Sequence, residues 1–306
     1  MEKLLSEFLD YLRYELRRSD CTVDSYGKDL NAFVSYVGTC EGSLSWESVD
    51  KDIVRGWMEE MMDKGNTATS INRRLSSLRT FYRFALSRKR VTCDPVYLVK
   101  GPKKAKPLPQ YLREEEMDRL LDADFWSNDI KDVRARAIIL TFYSTGMRLS
   151  ELVGLDDSAV DFNERQLKVL GKRNKERIIP FGAELAEVLR DYQAKRDELS
   201  ICGSDALFVT DKGGRMTPAQ VRSLVKENLS KVCTLKKRTP HVLRHTFATA
   251  MLNNDSGLES VQKLLGHESL ATTEIYTHTT FEQLRKVYQQ AHPRGDDEID
   301  QSENKK

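Results

Sequence analysis

A short proline-rich segment divides this chain into two parts. Residues 101–109 contain three prolines and one glycine, so the segment cannot continue a helix or form a central strand. The chain has 306 residues, which is enough for about two domains of ordinary size. The sequence therefore predicts an N-terminal domain over 1–100, a basic linker over 101–110, a second domain over 111–293 and an acidic tail over 294–306, which we expect to be disordered.

The first domain is predicted to be helical. Its apolar residues recur at helical spacing with polar residues between them, as in the run from Leu4 to Leu12. Further helices are expected over 22–37, 49–64 and 67–87. Gly65 is placed to end the helix that precedes it.

Basic residues are concentrated in the second half of this domain and in the linker. Positions 64–106 hold twelve lysines and arginines and one acid, although the formal net charge of the chain is only +2. A segment of one sign on a balanced chain is typical of a surface that binds a polyanion. The alternative is an ordinary solvated helix face, but the arginines lack the acidic partners four residues away that would neutralise such a face. The predicted nucleic-acid contacts are Asn72, Arg73, Ser76, Arg79 and Lys103.

The second domain is predicted to be mainly helical with a small β-sheet insert. An apolar helix over 133–144 is expected to be buried on most sides. Two strands, 166–170 and 177–180, would be joined by the turn 171–176, and 206–209 is a predicted third strand. Further helices are expected over 218–231, 240–253, 258–265, 270–276 and 281–291.

The composition argues against membrane and secreted proteins. No apolar run approaches the ~18–20 residues of a membrane span. Acids interrupt the amino terminus where a signal peptide would need an apolar core. The five cysteines lie far apart and form no zinc-ligand spacing. We therefore expect a cytoplasmic protein without a metal site.

One candidate anion site lies at the start of a predicted helix. Thr239 suits the N-cap and Pro240 the first helical position, so His241 and Arg244 would share a face near the positive end of that helix. Free amide groups and an arginine side chain together favour a phosphate. Alternatively, the two side chains could belong to an ordinary surface helix.

A similar arrangement occurs earlier in the chain. Ser144, Thr145 and Gly146 are predicted to open a short helix with Arg148 in its first turn. Arg148 could instead pair with a nearby acid and only stabilise the fold, and Glu151 could be a buried partner that orients it. Two arginines at two helix starts are more typical of a clamp on an anion than of coincidence.

A candidate nucleophile lies near the end of the second domain. Gly266 is placed to end a helix, His267 follows in the turn, and Ser269 could cap a further short helix that carries Tyr276. A single tyrosine is usually a packed aromatic residue. Its phenol has an unperturbed pKa near 10, so attack on a phosphate would require neighbouring cations or a base.

Together these segments resemble the tyrosine recombinases, and most closely the Xer-like branch of the phage integrase family. The matching segments occur in the family's order and at its separations: 144–152, the hairpin with Lys172, 241–245, 265–267 and 276–278. The resemblance implies a helical, SAM-like core-DNA-binding domain followed by a catalytic domain of the DNA breaking–rejoining fold.

The resemblance also implies a reaction that uses no metal, nucleotide or other cofactor. Tyr276 would attack a phosphodiester, forming a 3′-phosphotyrosyl bond and releasing a 5′-hydroxyl. Arg148 and Arg244 would neutralise the charge that develops on the phosphoryl group.

The remaining catalytic roles are assigned by the same resemblance. Lys172 would be the general acid for the leaving 5′ oxygen, with Lys175 as its rival. His241 would assist proton transfer at the tyrosine, and His267 would donate a hydrogen bond to a non-bridging oxygen. Arg173 stands where the family often has glycine. Three further histidines are expected to be structural or incidental: His245, His278 and His292.

The implied function is Xer-like site-specific DNA recombination, as in the resolution of chromosome dimers. An integrase or invertase of a mobile element would use the same chemistry, and a non-catalytic architectural DNA-binding protein is a third possibility. The expected partners are duplex DNA with a paired recombination site, a homotetramer or a heterotetramer with a related recombinase, and an accessory directionality or translocase protein. The last helix would dock on a neighbouring subunit or within its own chain, and DNA binding would bring the protein to the nucleoid.

Overall fold

The computed structural model describes residues 1–40, 45–104, 110–171, 176–199, 204–254, 258–265 and 278–295. The chain divides into two compact units, Met1–Pro107 and Leu108–Lys306. Lys172, His267 and Tyr276 lie outside the described residues, as do the predicted helix over 270–276 and positions 296–306 of the predicted tail.

The first unit is built from helices. They are α1 (Glu2–Asp10), a π-helical turn (Tyr11–Glu15), α2 (Asp20–Val37), α3 (Lys51–Asp63) and α4 (Ala68–Ser87). Local sequence sets their ends, since the Asp50 carboxylate accepts hydrogen bonds from the first turn of α3 and Gly65 adopts a φ of +73° after it. The helices predicted over 22–37, 49–64 and 67–87 are confirmed, with ends that shift by two residues or fewer.

Aromatic side chains form the core of the first unit. The rings of Trp46 and Phe81 lie 4.1 Å apart, and Phe33 meets Trp57 edge-on at 4.9 Å. Tyr82 is fully buried, and its hydroxyl donates to the Trp46 carbonyl oxygen at 3.0 Å. Because α4 directs Phe81 and Tyr82 into this core, its polar side stays at the surface.

The second unit is helical around a small sheet. Its elements are α5 (Glu114–Leu121), α6 (Ile130–Thr145), α7 (Leu149–Val153), β1 (Val160–Asp161), β2 (Gln166–Leu170), β3 (Glu176–Pro180), α8 (Ala183–Glu198), α9 (Pro218–Val232), α10 (Pro240–Asn253), α11 (Leu258–Leu265) and α12 (His278–Ala291). The strands are antiparallel in the order β1-β2-β3, and Leu167 pairs with Ile179. In the described parts of both units, no helix is long and apolar enough to cross a membrane.

Helix α6 passes through the core of the second unit and ends at the candidate site. Residues 137–147 are all buried, as predicted for this apolar helix, and α6 packs against α8, α9 and α10. Gly146 ends it with a φ of +59°. A β-carbon there would lie 2.4 Å from the Phe247 ring and 2.8 Å from a Leu265 methyl group. Any other residue at position 146 would strain the backbone and clash with Phe247 and Leu265.

The prediction of a third strand over 206–209 is wrong. Ala206 and Val209 form only isolated bridges, with Asp156 and Arg215, and β1 completes the sheet instead. The physical reason is that a side chain occupies backbone acceptors that a sheet would use. Arg196 donates to the carbonyl oxygens of residues 206 and 207 at 3.4 and 3.1 Å.

The C-terminal helix packs within its own chain in the part that the structure describes. Tyr288 and Ala291 are buried, and α12 contacts α10, α11 and β3. His292 follows, with its Nε2 3.1 Å from the Tyr143 carbonyl oxygen, while its Nδ1 accepts a hydrogen bond from the Arg294 amide at 3.1 Å. The expectation that His292 is structural is confirmed.

Candidate active site

The end of α6 and the start of α10 carry the predicted catalytic residues that the structure describes. Arg148 follows the end of α6, Arg244 lies in the second turn of α10, and His241 lies one turn before Arg244. Lys172, His267 and Tyr276 fall outside the described residues. Thr239 takes the N-cap position of α10, although its side chain makes no capping hydrogen bond.

Arg244 is held by backbone carbonyl groups from two other segments. Its Nη1 donates to the carbonyl oxygen of Gly146 at 2.6 Å, and its Nη2 donates to that of Leu265 at 2.8 Å. Only 9% of the residue is exposed. One guanidinium group therefore joins α10 to the ends of α6 and α11.

Arg148 is the N-cap residue of α7 instead of a member of its first turn. Its backbone amide donates to Oε2 of Glu151 at 2.7 Å, and its Nη1 donates to Oε1 at 3.0 Å. Arg148 lies outside the first turn because Gly146 ends α6 and α7 begins only at Leu149. The Glu151 side chain is 2% exposed and that of Arg148 is 36% exposed. The predicted role of Glu151 as a buried partner of Arg148 is confirmed.

Arg177 completes this cluster and was not among the predicted site residues. Its Nη1 and Nη2 donate to Oε1 and Oε2 of Glu151 at 2.7 and 2.8 Å, and the residue is 7% exposed. The available signal was the alternation of β3, which places Arg177 on the same inner face as Ile179. A buried arginine needs a buried acid, and Glu151 provides it.

Positive charge exceeds negative charge in this cluster. Burial lowers the pKa of Arg244, and the charges of Arg148 and Arg177 lower it further, to about 10, although Glu151 acts in the opposite direction. Burial also opposes ionisation of Glu151, but the hydrogen bonds and charge of Arg177, together with Arg148, bring its pKa below the usual value. At neutral pH the three positive charges of Arg148, Arg177 and Arg244 thus exceed the single negative charge of Glu151, which favours an added anion.

His241 lies at the exposed surface of α10 beside these charges. Its pKa is lowered, first by partial burial of the ring and then by the positive charge of Arg244 and its neighbours. A lowered pKa favours the neutral imidazole at pH 7, which is the form that accepts a proton.

The chemistry offered by the cluster is that of fixed positive charge. Guanidinium groups bind phosphate oxygens in a planar geometry and can stabilise the charge of a phosphoryl transition state. Within the described ranges, no three His, Cys, Asp or Glu side chains are grouped so that they could hold a metal ion.

The predicted DNA-contacting residues of the first unit lie in three kinds of environment. Ser76 and Lys103 are exposed. Asn72 and Arg79 instead donate hydrogen bonds to the backbone carbonyl oxygens of residues 102 and 99, at 2.8 and 2.6 Å. These two side chains therefore hold the segment that leads out of the first unit.

Arg73 is paired with a buried acid from another helix. Asp29 of α2 is 2% exposed, its Oδ2 lies 2.5 Å from Nη1 of Arg73, and it accepts a hydrogen bond from the Ser77 hydroxyl at 2.7 Å. The arginines lack acidic partners four residues away, as the sequence indicates, but Asp29 supplies one from 44 positions away. Two further arginines of the basic segment pair with acids that are distant in sequence but not buried: Arg88 with Glu15 and Arg90 with Glu7.

Sequence comparison assigns the chain to a family. Residues 5–89 match the profile described as "Phage integrase, N-terminal SAM-like domain", and residues 110–283 match "Phage integrase family". The chain belongs to the phage integrase family. The resemblance to tyrosine recombinases is confirmed, and with it a fold that is mainly helical with a small three-stranded sheet.

Similar members of the family are named Tyrosine recombinase XerC and XerD. The XerC of Actinobacillus succinogenes is 39% identical, with 96% of this chain and 98% of the relative covered. The XerC of Chlorobaculum tepidum is 38% identical, covering 95% and 94%. The XerD of Oceanobacillus iheyensis is 35% identical, covering 96% and 99%. The chain is thus an Xer-like tyrosine recombinase, an enzyme of site-specific DNA cleavage and rejoining.

Solved structures share the fold. A structure of the XerH site-specific recombinase, described as bound to a palindromic difH substrate in a post-cleavage complex, has a TM-score of 0.70 and 22% identity and covers 92% of this chain and 82% of XerH. A lambda integrase dimer bound to a COC′ core site has a TM-score of 0.67 and 19% identity, with 90% and 99% covered.

Proposed function

We propose that this recombinase cleaves one DNA strand by attack of Tyr276 on a backbone phosphate, forming a 3′-phosphotyrosyl bond and releasing a 5′-hydroxyl. The observation that carries the proposal is the arrangement of Arg148 and Arg244 around the end of α6. Both guanidinium groups are held by hydrogen bonds to other groups of the protein. Such preorganised charge lowers the barrier to phosphoryl transfer because it need not be assembled during the reaction.

The contacts of Arg244 also support a role for the segment that follows α11. Leu265 accepts a hydrogen bond from Arg244, and Gly266 and His267 are the next two residues in the chain. His267 would hydrogen-bond a non-bridging oxygen of the phosphate. His241, favoured in its neutral form, would take up the phenolic proton of Tyr276.

Lys172 is proposed as the general acid. It lies in the sequence between β2 and β3 and would protonate the leaving 5′ oxygen. The second half of the reaction reverses the first, with a 5′-hydroxyl from another strand attacking the phosphotyrosyl bond. Rejoining needs no ATP, since the phosphotyrosyl bond conserves the energy of the broken phosphodiester.

Duplex DNA is the proposed partner, with Asn72, Arg73, Ser76, Arg79 and Lys103 near its backbone. The XerH and lambda integrase structures are described as DNA-bound, which supports the choice of ligand. Exposed Lys103 and Ser76 are suited to direct phosphate contact. Asn72 and Arg79 would act by holding the segment that carries Lys103.

The biological role proposed is resolution of chromosome dimers by a tetramer on two sites, in the cytoplasm at the nucleoid. Relatives named XerC and XerD support this role over integration of a mobile element. The tetramer would contain four copies of this chain or two recombinases, with an accessory protein setting direction. Sequencing the DNA captured covalently in the native host distinguishes the roles, since a single chromosomal site indicates dimer resolution and element ends indicate integration.

Covalent capture of DNA tests the chemistry. The substrate is a duplex nicked close to the cleavage point, so that the short released strand diffuses away and the phosphotyrosyl adduct accumulates. Wild-type protein should form an adduct that survives denaturation, and Tyr276→Phe should form none while it still retains DNA, because the phenolic oxygen is the nucleophile.

Arg148→Ala is the control for this experiment. Arg148→Ala should retain most of the DNA affinity but suppress adduct formation, since the arginine acts on the transition state. An adduct formed by Tyr276→Phe would show that another residue is the nucleophile. DNA retention without any wild-type adduct on its own site would favour the architectural alternative.

A further inference from the structure

We propose that Arg177 is a positioning residue for strand cleavage: it fixes the carboxylate of Glu151, and Glu151 in turn fixes Arg148 beside the scissile phosphate. The inference rests on the proposed function, because it assigns Arg177 a part in the same reaction. Arg177 itself is buried on β3 and acts through Glu151, without touching DNA.

The geometry of Glu151 explains how the constraint is transmitted. Oε1 accepts from Nη1 of Arg177 at 2.7 Å and from Nη1 of Arg148 at 3.0 Å. Oε2 accepts from Nη2 of Arg177 at 2.8 Å and from the Arg148 amide at 2.7 Å. Both oxygens are shared between the two arginines, so the carboxylate cannot rotate without breaking contacts on both sides.

Because Arg177 lies on β3, its contact with Glu151 also involves the β2–β3 hairpin. β2 and β3 are adjacent antiparallel strands in which Arg177 pairs with Val169, and Lys168 bridges to Glu176 at 2.9 Å. The sequence that joins them contains Lys172. The Arg177–Glu151 pair therefore links the hairpin of the proposed general acid to the arginine that stabilises the phosphate.

The alternative is a purely structural ion pair, since buried arginine–carboxylate pairs occur throughout proteins. The second unit contains a suitable control for that alternative. Arg196 is also 7% exposed and donates Nη1 and Nη2 to the two oxygens of Asp157, both at 2.9 Å. Its other partners are Asp197 and the backbone at 206 and 207, so it supports a different part of the unit.

The experiment compares Arg177→Met, Arg177→Lys and Arg196→Met with the wild type. The full-length proteins are used at saturating concentration on the nicked duplex, and the rate of adduct formation in a single turnover is measured. We expect Arg177→Met to slow cleavage roughly 10- to 100-fold with DNA affinity changed by no more than about twofold, since misplacement of a catalytic group has effects of this size. Arg177→Lys should recover part of the rate, because lysine supplies charge without the two-point contact.

A substrate with a neutral methylphosphonate at the cleavage point separates positioning from folding. A neutral phosphoryl group no longer needs the full positive charge of Arg148. The defect of Arg177→Met relative to wild type should therefore shrink to within about threefold on this substrate. A general loss of folded protein, as expected for Arg196→Met, would reduce cleavage of both substrates by the same factor.

Each outcome decides the proposal. If Arg177→Met cleaves the ordinary substrate at the wild-type rate, or if its defect is equal on the two substrates, the positioning role is wrong. If Arg177→Met is too unstable to assay, Glu151→Gln and Arg177→Lys carry the same comparison, and an equal defect on both substrates again overturns the proposal. Failure of the wild type to cleave would instead overturn the proposed function and this inference with it.

Discussion

Gly146 lies at the meeting point of several parts of the candidate site. Its carbonyl oxygen accepts a hydrogen bond from Arg244, its left-handed backbone lets the chain turn toward Arg148, and its Cα packs against Phe247 and Leu265. A side chain would both strain the backbone and displace these neighbours. The position of Arg244 therefore depends on a residue that has no side chain.

Gly65 and Gly146 both have positive φ, but their surroundings differ. Gly65 has a φ of +73° with no atom within 4 Å of an added β-carbon, whereas Gly146 is closely surrounded. Gly65→Ala should reduce the free energy of unfolding by about 1 kcal/mol, the cost of the left-handed conformation. Gly146→Ala should cost roughly 3 kcal/mol or more, because overpacking adds to that strain. Denaturant unfolding of both variants measures the difference, and equal costs would contradict the packing argument.

Of the two contacts that Glu151 makes with arginines, one could be predicted from the sequence and the other could not. Glu151 was predicted as the partner of Arg148 because the two are three positions apart, close enough for a helix start to bring them together. Arg177 was not predicted, since its contact with Glu151 spans 26 positions and joins a strand to a helix. Spacing in the sequence therefore identifies partners that lie within one helical turn, but not partners on separate elements.

Among the elements, the segment after α12 shows how the C-terminus is attached to the second unit. Arg294 pairs with Glu184 at 2.5 Å and with Asp118 at 3.3 Å. The His292 ring stacks on Tyr288 with centroids 5.0 Å apart. Amphipathicity predicted α12, whereas the ion pairs of Arg294 join the segment after it to α5 and α8, two helices that were not predicted.

The free energy of unfolding should depend on pH because His292, in this segment, is buried. Burial, as the main cause, lowers the pKa of His292 from 6.5 to about 4. The unfolded chain therefore binds a proton at this residue below about pH 6.5, while the folded chain does not until about pH 4. The free energy of unfolding should fall as the pH drops through this window, with a contribution from His292 of roughly 3 kcal/mol.

The measurement is denaturant unfolding at several pH values between 7.5 and 4.5, with His292→Gln as the comparison. Glutamine keeps a donor and an acceptor but does not titrate, so the variant should lose stability less steeply on acidification. Other groups titrate in both proteins and cancel in the difference. Identical slopes would mean that folding does not lower the pKa of His292.

At the scale of the whole molecule, charge is distributed unevenly although the total is near zero. Acids from α1, the π-helical turn and α2 neutralise part of the basic segment, including Arg73, Arg88 and Arg90. Lys103 and Lys104 remain exposed at its end. Electrostatic attraction to DNA should therefore depend more on these lysines than a simple count of basic residues suggests.

The salt dependence of DNA binding tests this distribution. Lys103→Gln should weaken binding and reduce the slope of log affinity against log salt by about one, because one phosphate contact is lost. Lys51→Gln, at the start of α3 and outside the basic segment, is the matched control and should leave the slope unchanged. Arg73→Gln should change the slope less than Lys103→Gln, since Asp29 already neutralises Arg73. An unchanged slope for Lys103→Gln would remove this lysine from the interface.

The sequence by itself determined the helices of the first unit and, except for α5 and α8, those of the second. It also determined the β2–β3 hairpin, the family and the candidate residues Arg148, His241 and Arg244. These features depend on spacing within a few turns or on motifs that can be recognised in one dimension. Only the tertiary structure decided that Asp29 neutralises Arg73 across 44 positions and that Arg244 binds the Gly146 carbonyl across 98. The physical reason is that burial strengthens a charge or hydrogen bond only between groups that packing brings together, and packing depends on the whole chain.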